Sequence, residues 1–262
     1  MIKNRFGFTL VETLITLGII GVIAGLTLPS AIAGKMAAQA RTQFDTAYAV
    51  LNQAVNDMAA DDVTLFGGRY VQKYGSLHDL FKSYMRVSVD CCKVEGDGSL
   101  KCFGSKICPS RNYTQNGYET YSGVGCNASK SSCSAVVNWF IDDGAFVLSN
   151  GMLVAFENNG SNTQYTIVSI DINGKNKPPN RWGWDIFSFQ IIGEDLLPIG
   201  AVGTTYKDPS VDSNRIFGQN PDKWCDKNNN SAANDDGKLN GATCAYKAVT
   251  DVDYFKKLYG AN

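Results

Sequence analysis

The first 90 residues contain no cysteine, the whole 262-residue chain has one histidine, and the charges nearly cancel, 24 Lys and Arg against 25 Asp and Glu. Each scarcity excludes something. A net charge of −1 gives no basic excess to hold a polyanion, so nucleic acid is an unlikely partner. One histidine, no Cys-x-x-Cys pair and no Gly-x-Ser-x-Gly leave no zinc set and no nucleophile-base pair to nominate, and no Gly-x-x-x-x-Gly-Lys-Ser/Thr loop is present to bind a nucleotide. The chain reads as a non-enzyme. Charge is also missing from one long stretch: between Phe8 and Gly34 the only charged residue is Glu12.

That stretch is the first strong positive signal. Phe8 to Ala33 is 26 residues, which as a helix spans about 39 Å against a hydrocarbon core of about 30 Å. A secretory signal peptide accounts for Lys3, Arg5 and the small-x-small Ala31-Ile32-Ala33, but its apolar region is ordinarily 7 to 15 residues and holds no acid. A plain anchor accounts for the length but leaves Glu12 unexplained. Gly18, Gly21 and Gly25 give small faces on which helices approach closely, and Pro29 removes one helical hydrogen bond and predicts a kink or a local loosening.

From Gly34 the pattern becomes amphipathic. Met36, Ala40, Phe44, Ala47, Tyr48, Leu51, Val55 and Met58 recur at steps of three and four, with Lys35, Gln39, Arg41, Asp45, Gln53 and Asp57 mostly between them. One helix is predicted from about Phe8 to Ala60. Beyond it, 61–75 reads as a loop and Ser76–Met85 as a short helix, with His78 on a helix face or at the surface. The run AFVLSNGMLVAFE from Ala145 predicts a hairpin with a type I′ turn at Asn150-Gly151. Further strands are predicted at 166–172 and 186–192, and a terminal helix at 251–259.

The cysteines are Cys91, Cys92, Cys102, Cys108, Cys126, Cys133, Cys225 and Cys244. An even number, all beyond the apolar segment, predicts disulfides and an oxidising compartment, with 105 possible pairings. Six fall within 43 residues poor in apolar material, where cross-links must supply the stability. Adjacent Cys91 and Cys92 are expected to take different partners, and Cys225 and Cys244, distant from the rest, to close on each other.

Two blocks carry a family resemblance. KNRFGFTLVETLITLGIIGVIAGLTLP combines a basic leader, Gly7, Phe8, Glu12 four residues on, and an apolar run reaching Pro29. It resembles the N-terminus of type IV pilin-like precursors, the type IV pilins and type II secretion pseudopilins. DINGKNKPPNRWGWDIFSF, some 160 residues later, resembles a block near the end of the pseudopilin sheet through Asp171, Asn173, Gly174, Pro179, Asn180, Gly183, Asp185 and Phe187.

The resemblance implies an α+β fold: a long N-terminal helical spine packed on an antiparallel sheet head, here with a disulfide-rich insertion. It divides the chain into a leader (1–7) removed by a prepilin peptidase that cuts between Gly7 and Phe8, with Phe8 then N-methylated; a transmembrane and assembly helix (8–33); its amphipathic continuation (34–62); and an extracytoplasmic head (63–262). It implies an inner-membrane subunit, head outside the cytoplasm, that polymerises with like or related subunits on an inner-membrane assembly platform into a periplasmic or extracellular filament. Glu12 would meet the Phe8 ammonium of a neighbour, and Pro29 shapes the assembly helix. A minor, tip-located subunit acting as a binding module is the alternative. No cofactor is required, but Asp171, Asn173 and Asp185 are hard-oxygen candidates for calcium, competing with a network of Asx turns; a second acidic stretch, 226–236, is expected to be a solvated loop. Trp182 and Trp184 flank Gly183, which places one in the core and one outside.

Overall fold

A computed structural model describes residues 9–63, 76–94, 100–109, 117–123, 140–158, 166–206, 215–229 and 239–261. Gly7, Phe8, Cys126, Cys133 and most of the acidic stretch 226–236 lie outside the described residues. The chain divides into two compact units, residues 1–41 with 253–262, and residues 42–252.

A single helix, α1, runs from Leu10 to Ala60, 51 residues, about 76 Å at 1.5 Å per residue. Its assignment is unbroken at Pro29. The first half is long and apolar enough to cross a membrane, with its large side chains from Leu10 to Ile32 exposed. In the first unit the stripe begins at Ala37, which is buried, whereas Met36 is 48% exposed, one position off the expected register. The same unit holds the terminal helix α4 (Tyr254–Tyr259), which buries Tyr254, Phe255 and Leu258 and ends on Gly260 in the left-handed region.

The second unit is built on a six-stranded, wholly antiparallel sheet in the order β1-β4-β5-β6-β7-β8: β1 Val87–Asp90, β4 Ala145–Leu148, β5 Leu153–Asn158, β6 Thr166–Asp171, β7 Ile186–Ile192 and β8 Asp195–Pro198. Two ribbons accompany it, β2 (Cys92–Val94) with β3 (Leu100–Cys102) and β9 (Thr205–Tyr206) with β10 (Arg215–Ile216). The helix α2 spans Ser76–Tyr84 and α3 spans Cys244–Thr250. The α+β class expected from the sequence holds.

Every residue of β6 is buried, so the sheet is covered on both faces. On one face aromatic and branched side chains line up across strands, Phe146–Val154–Ile170–Phe187 and Phe156–Val168–Phe189. The second half of α1 packs there: the Phe44 ring meets Phe187 edge-on at 4.7 Å and Tyr48 stacks on Phe189 at 5.2 Å. Phe81 of α2 packs on Phe156. The opposite face carries a row of small residues, Ala145–Ala155–Ser169–Ser188. Small side chains on four neighbouring strands leave room for one large one, and Trp182 fills it: it is 0% exposed and its Nε1–H donates to Ser188 Oγ at 2.9 Å.

The hairpin at Asn150-Gly151 forms with a different turn. Gly151 N–H donates to Leu148 O, Gly151 has φ +88°, and Asn150 is not among the residues of positive φ. A type I′ turn needs positive φ at both positions, so the loop is a three-residue turn closed by a left-handed glycine. Asn150 contributes its side chain instead, Oδ1 accepting from Met152 N–H.

His78 departs from expectation too. It lies on α2, as predicted, but is 0% exposed, between Phe146 and Phe156. Nδ1 faces Asp79 Oδ1 at 3.0 Å and Nε2 faces Asp90 Oδ1 at 2.9 Å, while Lys82 Nζ donates to Asp90 Oδ2 at 2.8 Å. The ring bridges the two carboxylates and ties α2 to β1. Replacing His78 by leucine keeps the volume but removes one of the three donors to Asp90, leaving Lys82 and the Cys92 N–H; the expected loss of stability is about 1 to 3 kcal/mol. Denaturant unfolding of the detergent-solubilised chain, followed by tryptophan fluorescence, measures it, and a second change, Asp90→Asn, is expected to add much less than its own single effect.

Candidate functional site

The first site is the start of α1. Thr9 precedes the helix and Glu12 lies in its first turn. Thr9 N–H and Thr9 Oγ1–H both donate to Glu12 Oε2, at 2.8 and 2.9 Å, and Glu12 N–H donates to Thr9 Oγ1 at 3.2 Å. This is a reciprocal capping box, Thr-x-x-Glu, which satisfies donors a helix otherwise leaves open at its start. The signal is present in the sequence as Thr9-Leu10-Val11-Glu12, masked by the apolar run in which Glu12 stands out only as a charge. Further along, Thr13, Thr16, Thr27 and Ser30 turn their hydroxyls onto carbonyls three or four residues back. The apolar half of α1 therefore carries its polar groups already bonded within itself, which a lipid environment requires.

The second site is the β6–β7 connection, where the structure brings together Asp171, Asn173 and Asp185. Asp171 Oδ1 accepts from Asn173 N–H at 3.2 Å and Gly174 N–H at 2.8 Å, and its Oδ2 accepts from the buried Tyr118 hydroxyl at 3.2 Å. Asp185 Oδ1 accepts from Arg181 N–H at 2.6 Å; its Oδ2 accepts from Asn180 N–H at 2.8 Å and Asn173 Nδ2–H at 3.3 Å. Each carboxylate thus closes a turn at one end of the connection. Gly183 has φ +78°, and a Cβ there would stand 2.6 Å from both Cys244 Sγ and Tyr121 Cδ2. Only glycine lets the turn lie against the Cys225–Cys244 bridge. Trp184, half-buried, donates its Nε1–H to Tyr121 O.

A hard cation finds a partial fit here. Asn173 Oδ1 and Asn180 Oδ1 are buried without a hydrogen-bond partner, which suits an oxygen-seeking ion. Against it, all four carboxylate oxygens of Asp171 and Asp185 already take protein donors, six in all. Elsewhere Asp142, Asp143 and Glu157 place three carboxylate oxygens within 4.8 Å of one another, an acidic cluster not singled out in the sequence.

Three described cysteine pairs are bridged, Cys91–Cys108, Cys92–Cys102 and Cys225–Cys244, and no described cysteine is free. Cys92 and Cys102 are direct cross-strand partners in the β2–β3 ribbon.

Residues 2–28 match the family model of the prokaryotic N-terminal methylation motif. The match covers the N-terminal segment alone, and there it supports a type IV pilin-like relationship. The motif spans the basic leader, Gly7, Phe8, the Thr9–Glu12 cap and most of the apolar half of α1, and it supports a prepilin-type structural subunit rather than an enzyme. No curated protein and no solved structure matches the chain.

The paired carboxyls set a pH dependence. Burial, and then the charge of Asp185, push Asp171 well above the ordinary range despite its donors; burial raises Asp185 from 3.8 to about 6. An acid whose folded pKa is raised keeps its proton in the fold longer than in the unfolded chain. Its stabilisation is full below pH 3.8 and is lost as pH rises through about 6. The thermal midpoint is expected to fall across that window, and Asp185→Asn to flatten the fall. A bound calcium ion would ionise both acids and reverse the slope, so unfolding with calcium and with chelator separates the self-tied loop from a metal site.

Proposed function

We propose that the chain is a filament subunit that is made as a membrane-inserted prepilin, cut between Gly7 and Phe8, N-methylated on Phe8 and polymerised through the apolar half of α1. The single observation that carries this reading is the match at residues 2–28, on a helix whose apolar half has one carboxylate, held by its own cap. Residues 1–7 are the leader, 8–33 the membrane and assembly segment, 34–62 its continuation and 63–262 the head. The bridged cysteines support a head outside the cytoplasm, where disulfides persist.

The cap gives Glu12 a defined starting state. In the lone subunit Oε2 is satisfied by Thr9. Cleavage puts an ammonium on Phe8, next to Thr9. When subunits stack, the ammonium of a neighbour offers Glu12 a full positive charge in place of two neutral donors, adding an attraction between opposite charges that the cap lacks. An exchange from a neutral cap to an ion pair favours the stacked register without exposing a bare carboxylate to lipid on the way. The β6–β7 connection acts as a structural tie of the head; the calcium reading rests on the oxygens of Asn173 and Asn180 alone.

Glutamine also forms a capping box, so Glu12→Gln keeps the helix start and removes only the charge. The variant is expected to be processed and membrane-inserted like the unmodified chain but to yield few or no filaments in cells carrying their own peptidase and assembly apparatus. Filament yield is read by shearing, and intact mass of the membrane-extracted chain reports a start at Phe8 bearing one methyl group. A chain starting after Ala33, or filaments unaffected by Glu12→Gln, would overturn the reading.

A further inference from the structure

Beyond α1, few large apolar side chains of the described residues are exposed, and two of them share one short loop. Phe103 is 47% and Ile107 36% exposed. The loop 103–107 is bracketed at both ends: Cys102 is bridged to Cys92 and Cys108 to Cys91, so adjacent cysteines staple both of its flanks. Inside it, Phe103 N–H donates to Cys91 O, Ser105 N–H to Cys108 O, and Ile107 and Cys108 N–H both to Ser105 Oγ. A loop so held loses little freedom on binding, and its apolar side chains stay outward for want of anywhere else to turn.

Lysines collar this loop. Lys93 and Lys101 stand directly opposite each other in the β2–β3 ribbon, a like-charge pairing that costs stability. Lys101 Nζ lies 5.9 Å from the Phe103 ring centre. Lys106 sits within the loop, and Lys175 Nζ donates to Ser105 O at 2.9 Å, bringing the 175–177 turn and Lys177 beside it. Among the described residues, none of Lys93, Lys101, Lys106 and Lys177 is in an ion pair, and all four are exposed. In sequence the 93–106 stretch also holds Glu95 and Asp97, which lie outside the described residues.

We infer that the stapled loop 103–107 and its lysine collar form a docking surface for an anionic lipid membrane, separate from the apolar half of α1. Four unpaired cations around two projecting apolar side chains fit a surface of phosphate headgroups over acyl chains: the ammonium groups meet phosphate while Phe103 and Ile107 enter the boundary below. Single-stranded nucleic acid fits less well, because stacking platforms need several aromatic rings and this loop offers one ring and an aliphatic side chain.

Full-length chain held in zwitterionic nanodiscs, so that α1 is already occupied, is mixed with vesicles containing about one third phosphatidylglycerol. It is expected to co-sediment with them, more weakly as salt rises. Changing Lys93, Lys101, Lys106 and Lys177 together to glutamine is expected to cut partitioning by at least a hundredfold, at about fivefold per lysine. Arginine at the same four positions is expected to retain it, which separates lost charge from lost fold. Phe103→Ser is expected to lower it by about tenfold with the charges intact. Equal binding to zwitterionic vesicles, unaltered binding by the glutamine variant, loss with the arginine variant, or tighter uptake of a single-stranded oligonucleotide than of anionic vesicles would each overturn the proposal. None of these readouts involves processing or polymerisation, so failure here leaves the filament reading untouched.

Discussion

A sheet buried on both faces must be covered twice, and among the described residues the second cover, apart from α3 against β7 and β8, is built from loops. On the helix side the solution is ordinary apolar packing, with Phe44, Leu51, Val55 and Met58 of α1 fully buried, each side chain contributing about 1.5 to 3 kcal/mol by burial. The other face is roofed by loops, and a loop brings unpaired backbone groups with it. Every device there answers that difficulty. Asp171 and Asp185 absorb the N–H groups of their turns, Asn240 takes four hydrogen bonds from its buried position, and the Cys225–Cys244 bridge lies against Gly183. Trp182 then supplies in one side chain the apolar bulk that the small-residue row lacks.

The same rule, that a carboxylate out of water must be met by donors, recurs at three depths. Asp90 is met by the His78 ring, the Lys82 ammonium and the Cys92 N–H, Asp171 and Asp185 by backbone amides, and Glu12 by the cap of its own helix. Only the last partner is exchangeable. His78 is locked among aromatic rings and the two aspartates are enclosed by their turns, whereas Glu12 and Thr9 are exposed at a helix start. On the proposed assembly role for Glu12, it differs from the structural carboxylates in access, not in chemistry.

The long helix, the amphipathic switch after Gly34 and the central hairpin were legible because each is a local pattern: an apolar run, a step of three and four, a turn dipeptide between β-rich segments. What stayed hidden depended on distant partners. β1 and β8 are four-residue edge strands, VSVD and DLLP, whose polar residues disguise them until β4 and β7 pair with them. His78 reads as a surface residue because Asp90, twelve positions on, gives no local sign of facing it. The turn at Asn150-Gly151 was misjudged for a subtler reason: Asn150 tolerates positive φ but here uses its side chain to cap Met152, and the left-handed burden falls on Gly151 alone. At the second site the residues could be named from the motif, while their partition into two donor-filled turns required Tyr118, Asn180 and Arg181 to be seen in place.

The cysteine arrangement shows why sequence adjacency and spatial role part company. Consecutive residues of an extended segment point to opposite sides, so Cys91 and Cys92 cannot serve the same partner; one reaches across the ribbon to Cys102 and the other past it to Cys108. Cys91 and Cys108 thereby join the buried face behind the sheet, while the five residues between the two far cysteines are pushed outward as a unit. A chain that needed these bridges for stability alone could have filled that loop with polar residues at no cost to the fold. Instead it places a phenylalanine, a lysine and an isoleucine there and sets two lysines face to face beneath them. Local rules broken at a stapled, exposed position, where Lys101 meets only the edge of its own loop through Phe103, fit the docking surface inferred for it.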